Sequence, residues 1–439
     1  MPEDCWGGYR SCLARSFARS SPPPPPAQQP PQAASHLAFS DKIKVSGPIS
    51  VFQYMQTCLG AYYASKLNEG KTTILGEKGD FITSPELSQM FGELIGVWCY
   101  YELANTGHKG NWQLIEVGPG TGVLSRQVLG VLHHFREKGV SLHLVEVSDM
   151  LMAEQEKTLC GDNKGTDGTD ATPYVRRNKT ANGTDVYWYR QLKQVPSDFS
   201  VILAHEFLDA LPVYQFKRVG PTEGDWREVF VDVDPDHSGK LRFALSPNET
   251  LHSKGLLPPA VRADPSIEEW EVNVDAGDFV SQMADRLTES GGVGLVIDYG
   301  HAGDRKRFSL RSYHNHQLAD PLDNPGQQDL TADVDFGHLK SLVEEDMCVY
   351  GPISQSDFLN NLGIHLRLMK LLRNCTDEQQ REQLKNAFRI MMSADEMGAR
   401  FKAMAFFPKS LKEILDLRGG PSGFAGDAKG RTQSKSTST

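Results

Sequence analysis

The sequence predicts an α/β fold, a doubly wound and mostly parallel sheet with an N-terminal helical segment and insertions. Short apolar stretches alternate with segments of helical periodicity through the first half of the chain, which is the βαβ pattern of such sheets. A glycine-rich loop, residues 116–122, joins the first strand of this series to the helix that follows. Acidic residues also follow two later strands, where a doubly wound sheet places its ligand crevice.

Length and composition limit the class of protein. With 439 residues, the chain has room for one large α/β domain with insertions or for two domains of ordinary size. A formal net charge of −10 argues against nucleic acid as the main partner, because a phosphate backbone needs a dense basic face. No apolar run approaches the ~20 residues of a membrane span, so stable membrane insertion is not expected. The seven cysteines are dispersed without a Cys-x-x-Cys pair, which favours reduced thiols.

The two ends of the chain are expected to lie outside the folded part. Residues 1–48 combine arginine, serine and alanine with the tract Pro22–Pro26, a composition typical of a mitochondrial transit peptide followed by a disordered proline-rich linker. Glu3 and Asp4 are unusual in such a peptide, and an ordinary disordered tail fits the composition equally well. Residues 418–439 are rich in glycine, serine, threonine and lysine, and they are also predicted to be disordered.

Residues 49–110 are predicted to form the N-terminal helical segment. Apolar residues recur at helical spacing through Val51–Asn68, which indicates a helix. A second helix is expected to begin with Ser84 as its N-cap and Pro85 as its first residue, and to run to about Leu103.

The core, residues 111–417, follows as alternating strands and helices. Strands are predicted at Gln113–Val117, Leu142–Val147, Asp185–Tyr189, Ser200–His205 and Gly294–Asp298, with an antiparallel hairpin at Trp226–Val233 and Lys240–Leu245. Helices are predicted at Val123–Lys138, Asp149–Thr158, Phe279–Ser290, Phe336–Glu344, Ser356–Asn361 and Asp377–Met392. The polar, glycine-containing stretch Cys160–Thr184 is interpreted as a surface insertion.

The glycine loop Glu116–Gly122 is the strongest candidate for a ligand site. Gly118, Gly120 and Gly122 allow a sharp turn and a close approach of the backbone to a ligand, and the open N–H groups at the helix start suit a polar group. Dinucleotide loops contain Gly-x-Gly-x-x-Gly, whereas this loop contains Gly-x-Gly-x-Gly with Glu116 two residues ahead. The string resembles the first motif of class I methyltransferases, which wraps S-adenosyl-L-methionine. An ordinary tight strand–helix turn is the alternative.

Glu146 lies at the end of the second predicted strand. In a doubly wound sheet the ends of the first two strands lie side by side, so this carboxylate is placed to accept hydrogen bonds from both ribose hydroxyls of an adenosine. An ordinary surface acid at a strand end is the alternative. Together with the glycine loop, Glu146 favours the sulfonium cofactor over a dinucleotide.

His205, Glu206 and Asp209 follow the fourth predicted strand of the parallel series. The two acids are three residues apart, which places them on one side of a helical turn. Paired carboxylates suit an arginine substrate, whose guanidinium enters charged and must be held and deprotonated as it attacks a methyl group. His205 is a candidate to accept a proton or to orient a neighbour. From chemistry alone, an equally good interpretation is that the two acids lie at the N-terminus of a helix and interact favourably with its dipole.

The chain resembles the MidA family, a group of mitochondrial complex I assembly factors described as protein arginine methyltransferases. The resemblance runs from about Val51 to Phe407. The matching stretches are Gly79–Leu87, Glu116–Gly122, Leu144–Ser148, His205–Pro212, Asp298–Gly300 and Asp329–Phe336. His205 departs from the commoner family pattern, because bacterial-type members tend to have asparagine there, and the role of that side chain stays open.

This resemblance implies a class I S-adenosylmethionine-dependent methyltransferase fold and a protein-arginine N-methyltransferase activity. It also implies a protein substrate, symmetric dimethylation of an arginine on the iron–sulfur core of complex I, and a place in the mitochondrial matrix. The transit-peptide interpretation is strengthened accordingly. Two other functions stay open. One is a non-catalytic complex I assembly chaperone that keeps the fold, and the other is a methyltransferase of small molecules.

Other positions are weaker candidates. Thr83 and Pro85 belong to a segment ahead of the glycine loop that is placed to lid the cofactor, although a simple capped helix start explains them as well. Asp298–His301 ends a buried strand near the crevice, where a strand-end turn is the favoured interpretation. His314 and His316 match no standard metal spacing, so no metal is expected.

Overall fold

The computed structural model describes residues 31–68, 83–237, 239–314 and 317–424. The helices in these ranges are α1 (Pro31–Ser46), α2 (Val51–Asn68), α3 (Ser84–Leu87), α4 (Gln89–Thr106), α5 (Val123–His134), α6 (Asp149–Cys160), α7 (Leu251–Leu256), α8 (Pro259–Ala263), α9 (Val274–Ser290), α10 (Phe336–Val343), α11 (Gln355–Asn361), α12 (Ile364–Asn374), α13 (Glu378–Met392), α14 (Met397–Arg400) and α15 (Lys412–Leu417). The strands are β1 (Ile49–Ser50), β2 (Trp112–Val117), β3 (Val140–Val145), β4 (Thr166–Asp167), β5 (Arg176–Lys179), β6 (Asp185–Tyr189), β7 (Ser200–His205), β8 (Tyr214–Arg218), β9 (Trp226–Val233), β10 (Leu241–Leu245), β11 (Glu269–Val272), β12 (Gly292–His301), β13 (Arg311–His314), β14 (Gln317–Ala319), β15 (Asp329–Thr331), β16 (Val334–Asp335), β17 (Met347–Ser354) and β18 (Phe401–Pro408).

The central sheet has the strand order β17-β18-β12-β7-β2-β3-β6-β5-β4, with β16 added to the end of β12. Strands β6, β3, β2, β7 and β12 are parallel, and β18 runs antiparallel between β12 and β17. The chain proceeds from β2 outward through β3 and β6, and then returns to β7 and continues to β12 on the other side. The order therefore reverses between β2 and β7, which places the ligand crevice at the carboxyl ends of these strands. The predicted doubly wound sheet is confirmed.

Side chains of β2 alternate between two cores on opposite faces of this sheet. Trp112 and Leu114 pack with helices that include α4, α5 and α6, whereas Ile115 and Val117 pack with α9 and α10. All four are at least 97% buried, and each such side chain contributes about 1.5–3 kcal/mol to folding. Both faces are covered, so the central strands are mainly apolar.

A smaller antiparallel sheet lies beside the central one, in the order β1-β9-β8-β11 with β10 paired to β9. Its core includes Tyr54 and Met55 of α2 together with Val229 and Val231 of β9. The predicted helix Val51–Asn68 and the predicted hairpin of β9 and β10 are confirmed. A third sheet, β14-β13-β15, follows β12 and carries side chains toward the crevice.

The prediction that both ends of the chain are unfolded is wrong in part. Residues 31–46 form α1, and Phe39 and Ile43 are buried in the core of the smaller sheet. Residues 418–424 also pack on the domain, since Phe424 is buried and the backbone oxygen of Ser422 accepts a hydrogen bond from an α4 tryptophan. Residues 1–30 and 425–439 lie outside the described residues.

The predicted helix from Ser84 to Leu103 is wrong in its start and its continuity. Thr83 is the N-cap of the one-turn helix α3, and Ser88 then adopts an extended conformation and caps α4 by accepting the N–H of Met90. The predicted insertion 160–184 carries the short strands β4 and β5, and β5 extends the sheet antiparallel to β6. In the described ranges, every helix is too short or too polar to cross a membrane.

Candidate active site

The glycine loop follows β2 and has a backbone that only glycine adopts readily. Gly118, Gly120 and Gly122 have φ of 65°, 52° and 80°, in the left-handed region. A Cβ on Gly118 would lie 2.6 Å from the ring of Phe207, so the loop passes directly against the turn that follows β7. Gly122 is the N-cap of α5, and no side chain caps the first N–H groups of this helix. The loop is therefore a narrow backbone cradle that fits the predicted cofactor.

Glu116 is buried at the base of this cradle. One carboxylate oxygen accepts a hydrogen bond from the Ser125 hydroxyl on the first turn of α5. Burial raises the pKa of Glu116 to about 7, and the bonds from Ser125 oppose that shift. The side chain thus ties the end of β2 to the start of α5 and holds the loop between them.

Glu146 is joined to the glycine loop through Gln155, a buried residue of α6. The Nε2 of Gln155 lies 3.1 Å from Glu146 Oε2 and 2.8 Å from the backbone oxygen of Gly120. The Trp188 Nε1 donates to Gln155 Oε1 at 3.0 Å, and the N–H of Ser148 donates to Glu146 Oε1 at 2.8 Å. The structure therefore brings Glu146 and the loop together, as the sequence predicts.

Gln155 and Trp188 are residues of the candidate site that the sequence interpretation missed. The sequence signal for Gln155 was weak, since a buried polar residue on a helix can be recognised only when it is known which face of α6 packs against the sheet. Burial raises the pKa of Glu146 to about 7, whereas the bonds from Ser148 and Gln155 oppose the shift. In its ionised form, the Glu146 carboxylate is a strong hydrogen-bond acceptor for hydroxyl donors.

Helix α3 lies over the glycine loop and contains or adjoins both predicted lid residues. The Thr121 hydroxyl of the loop donates to Glu86 Oε1 at 3.0 Å, and the N–H of Thr83 donates to Glu86 Oε2 at 3.3 Å. On the other side, the Nε2 of Gln127 in α5 donates to the backbone oxygen of Pro85 at 2.9 Å. Thr83 and Pro85 therefore sit in a segment held against the loop by polar contacts.

The turn after β7 carries Glu206 in a strained conformation. Its φ is 50°, a value that costs a residue with a side chain of order 1–3 kcal/mol. The turn is held by Asp298 at the end of β12, whose Oδ2 accepts the N–H groups of Phe207, Leu208 and Asp209 at 3.0, 2.8 and 3.3 Å. Asp298 is a third residue whose role the sequence did not assign, because its partners are about 90 positions away.

Glu206 and Asp209 lie in a cluster of carboxyl groups that are largely removed from water. Burial raises the pKa of Glu206 well above its usual range, and the nearby carboxylates of Asp209, Asp298 and Glu86 raise it further. The N–H of Ser84, at the start of α3, donates to Glu206 Oε1 at 3.2 Å. A cation that enters here replaces repulsion with attraction, because it pairs with carboxylates already removed from water.

Asp209 lies near a positively charged arginine side chain of the protein itself. Burial raises its pKa to about 6, and the Arg311 guanidinium on β13 opposes that shift. Arg311 pairs with Asp333, and its Cζ lies 5.4 Å from the ring centroid of Tyr299. The strand-end residue Tyr299 thus borders the acidic turn, in keeping with the crevice position predicted for it.

His205 is buried at the end of β7. Its Nε2 lies 3.2 Å from Glu206 Oε1, and its ring packs between Phe91 and Phe401 with centroid separations of 4.8 and 6.3 Å. Burial lowers the pKa of His205 to about 3, so the ring is neutral at physiological pH. This environment suits an orienting neighbour of Glu206 better than a proton acceptor.

The described residues contain no group of three or more histidine, cysteine or acidic side chains arranged to hold a metal ion. His316 lies outside those residues.

Comparison with known proteins decides the family. Residues 94–353 match the family described as "Putative S-adenosyl-L-methionine-dependent methyltransferase". The chain is 49% identical over 393 residues to "Protein arginine methyltransferase NDUFAF7 homolog, mitochondrial" of Caenorhabditis elegans, covering 89% of this chain and 90% of that protein. The chain belongs to the MidA family of S-adenosylmethionine-dependent methyltransferases.

Further relatives agree with this assignment. "Protein arginine methyltransferase NDUFAF7, mitochondrial" of Homo sapiens is 40% identical over 384 residues, which cover 85% of this chain and 82% of that protein. A crystal structure from Burkholderia thailandensis, described as "a COG1565 superfamily member and likely methyl transferase" bound to S-adenosyl-homocysteine, is 26% identical to this chain with a TM-score of 0.68, and the match covers 92% of this chain and 98% of that one. The predicted class I fold and the predicted cofactor, S-adenosyl-L-methionine, are confirmed for this MidA-family chain.

Proposed function

We propose that the protein transfers a methyl group from S-adenosyl-L-methionine to an arginine side chain of a protein, with symmetric dimethylation as the product. The acceptor is an iron–sulfur core subunit of complex I, and the reaction takes place in the mitochondrial matrix during assembly or stabilisation of that complex. The names of the relatives support the arginine substrate and the mitochondrial location. One observation carries the chemistry, which is the acid pair of largely buried Glu206 and buried Asp209 beside the glycine loop.

The proposed binding of the cofactor uses residues at the ends of β2 and β3. Gly118, Gly120 and Gly122 provide backbone close enough to line the cofactor, and Glu116 holds the loop to α5. Glu146 accepts the ribose hydroxyls, because its oxygens stand at the crevice end of β3. Thr83 and Pro85 lie in the segment that covers the loop. When bound, the cofactor supplies an electrophilic methyl group on a positive sulfur.

The proposed role of Glu206 and Asp209 is to hold the acceptor guanidinium. Arginine has a pKa above ~12, so it arrives charged and pairs with carboxylates through two parallel hydrogen bonds. The negative charge of Asp209 is already partly balanced by the guanidinium of Arg311. A bound cation therefore stabilises the ionised form of Glu206 more than that of Asp209. Glu206 orients one guanidino nitrogen toward the loop, and His205, neutral and packed between two rings, lies beside that carboxylate with its Nε2 3.2 Å from Glu206 Oε1.

When bound, the cofactor would supply the methyl group for displacement by a guanidino nitrogen, with the sulfur as the leaving group. Glu206 would hold that nitrogen and take the one proton that it loses, and the proton would pass from Glu206 to water. Catalysis rests on proximity and on preorganised negative charge around a developing cation. Symmetric dimethylation requires a second cycle in which the guanidinium rotates and presents its other terminal nitrogen.

The experiment is methyl transfer with isotope-labelled S-adenosyl-L-methionine and recombinant iron–sulfur core subunits of complex I. The expected result is label on arginine, with symmetric dimethylarginine identified by mass spectrometry of the released amino acids. Binding of S-adenosyl-homocysteine without transfer to any subunit would contradict the catalytic proposal. If cells that lack the protein recover complex I assembly fully with Glu206→Gln but not with Gly120→Val, the essential role is binding and not methylation.

A further inference from the structure

Helix α3 touches both halves of the site through polar contacts. Toward the cofactor side, the Thr121 hydroxyl donates to Glu86 Oε1 at 3.0 Å. Toward the acceptor side, the N–H of Ser84 donates to Glu206 Oε1 at 3.2 Å. The two contacts are two residues apart on a helix of one turn, so a shift at either end moves the other.

Glu86 fixes the geometry of this turn from within. Its second carboxylate oxygen accepts the N–H of Thr83 at 3.3 Å. Thr83 directly precedes Ser84, whose own N–H donates to Glu206. One side chain therefore sets both the start of α3 and its attachment to the glycine loop. Glu86 is also close enough to Glu206 for its charge to act on it.

The turn has little freedom to move without breaking these contacts. Ser84 and Pro85 are buried, and the backbone oxygen of Pro85 accepts from Gln127 of α5 at 2.9 Å. The Ser84 hydroxyl lies 3.5 Å from the sulfur of Met397 on the opposite side. Packed elements of this kind transmit a displacement because they change position as a unit.

We propose that Glu86 is a positioning residue that couples the cofactor loop to the acceptor acid through α3. A cofactor that orders the loop also orders Thr121, and Glu86 then holds the N–H of Ser84 where Glu206 needs it. By linkage, an acceptor that fixes Glu206 tightens the loop by the same factor. The inference rests on the proposed function for the role of Glu206, whereas the coupling itself is a property of the fold.

Hydrogen–deuterium exchange of the full chain saturated with S-adenosyl-homocysteine tests the coupling without any methyl transfer. Thr121→Val removes the loop donor and is expected to speed exchange about 3- to 10-fold at the amides of Ser84–Leu87 and of the turn 206–209, as loss of one hydrogen bond implies. Glu206→Ala removes the acceptor at the other end and is expected to speed exchange in the loop 118–122 by a similar factor.

Two matched variants separate coupling from a general loss of structure. Glu206→Gln keeps an oxygen for the Ser84 N–H, so the loop should regain its protection. Thr57→Val removes a hydroxyl that only bonds back to its own helix, and it should leave both regions unchanged. If each variant alters only the segment that carries it, the coupling is refuted, whatever the transfer assay shows. A failed transfer assay with intact coupling refutes the proposed acceptor instead.

Discussion

The carboxylate oxygen Oδ2 of Asp298 accepts the backbone N–H of Leu208 at 2.8 Å, across 90 positions of sequence. The same oxygen accepts the N–H groups of Phe207 and Asp209, so one buried acid on β12 holds the turn that carries Glu206 and Asp209. The strained φ of Glu206 persists because this contact fixes the residues that follow it.

Asp298→Ala should therefore destabilise the protein strongly. Three backbone N–H groups lose their acceptor in a buried place, where each unpaired group costs about 1–3 kcal/mol, and a total loss of about 3 kcal/mol or more is expected. Urea unfolding followed by fluorescence measures the change. Asp346→Asn, at an exposed position, is the control and should change the free energy of unfolding by less than about 0.5 kcal/mol. Equal stability of the two variants would contradict this role.

Gly118→Ala should lower the affinity for S-adenosyl-homocysteine by at least about tenfold. The φ of 65° strains alanine, and the new Cβ would lie 2.6 Å from the Phe207 ring, so the loop and the acidic turn must separate. Isothermal titration calorimetry measures the affinity. Gly130→Ala is the matched control, because Gly130 is exposed in α5 with open space around it. That variant should bind normally and gain up to about 1 kcal/mol of stability. Wild-type affinity in Gly118→Ala would show that the loop does not form the cofactor site.

Gln155→Leu should raise the dissociation constant for S-adenosyl-homocysteine about tenfold. The change leaves the Trp188 Nε1 and the oxygen of Gly120 without their partner and frees Glu146 to move, although Gln155 itself lies behind the loop. Calorimetric titration with the same ligand checks it. Gln282→Leu, which removes only a surface contact, should bind like the wild type. The proposed support for Glu146 fails if both variants bind equally well.

Activity and stability should respond to pH in opposite directions around Asp209. Its pKa is about 6, above its ordinary 3.8, so between those values the folded state keeps a proton that the unfolded chain has released. This group therefore stabilises the fold at low pH and loses that contribution as the pH rises through about 6. Guanidinium binding needs the ionised form, so kcat/KM should rise over the same range.

Thermal unfolding of the wild type and Asp209→Asn between pH 5 and pH 8 measures this contribution together with the part of the raised pKa of Glu206 and Asp298 that Asp209 causes, which acts with the same sign. Buried His205 and His143, whose pKa values are lowered to about 3, act with the opposite sign and are present in both proteins. The wild type should lose stability with rising pH relative to Asp209→Asn, by on the order of 1–3 kcal/mol. A difference that is constant with pH would be inconsistent with the raised pKa.

The sequence predicted the parts of the site that depend on local pattern. The loop Glu116–Gly122 is defined by glycine spacing, and the pair Glu206 and Asp209 by its place after an apolar strand, so both were found without tertiary information. Their side-by-side placement follows from the strand order of a doubly wound sheet.

Other parts depend on contacts between distant residues and were missed. The hydrogen bond from Ser84 to Glu206 spans 122 positions of sequence. The hydrogen bond from Gln155 to Glu146 can be recognised only when α6 is packed on the sheet. The same reason explains α1, which lies in a segment of disordered composition but is held by the burial of Phe39 and Ile43 against the smaller sheet. Residues 418–424 were missed likewise, because Phe424 packs against the distant Phe358.

We propose that the glycine loop serves the cofactor while Glu206 serves the acceptor arginine. A parallel measurement on Glu206→Gln separates the two roles, with S-adenosyl-homocysteine affinity from calorimetry and kcat/KM from labelled methyl transfer to a complex I core subunit. We expect an affinity within about twofold of the wild type and a kcat/KM lower by at least about 100-fold. Retention of full transfer activity, or a loss of cofactor affinity that accounts for the whole decrease, would contradict it.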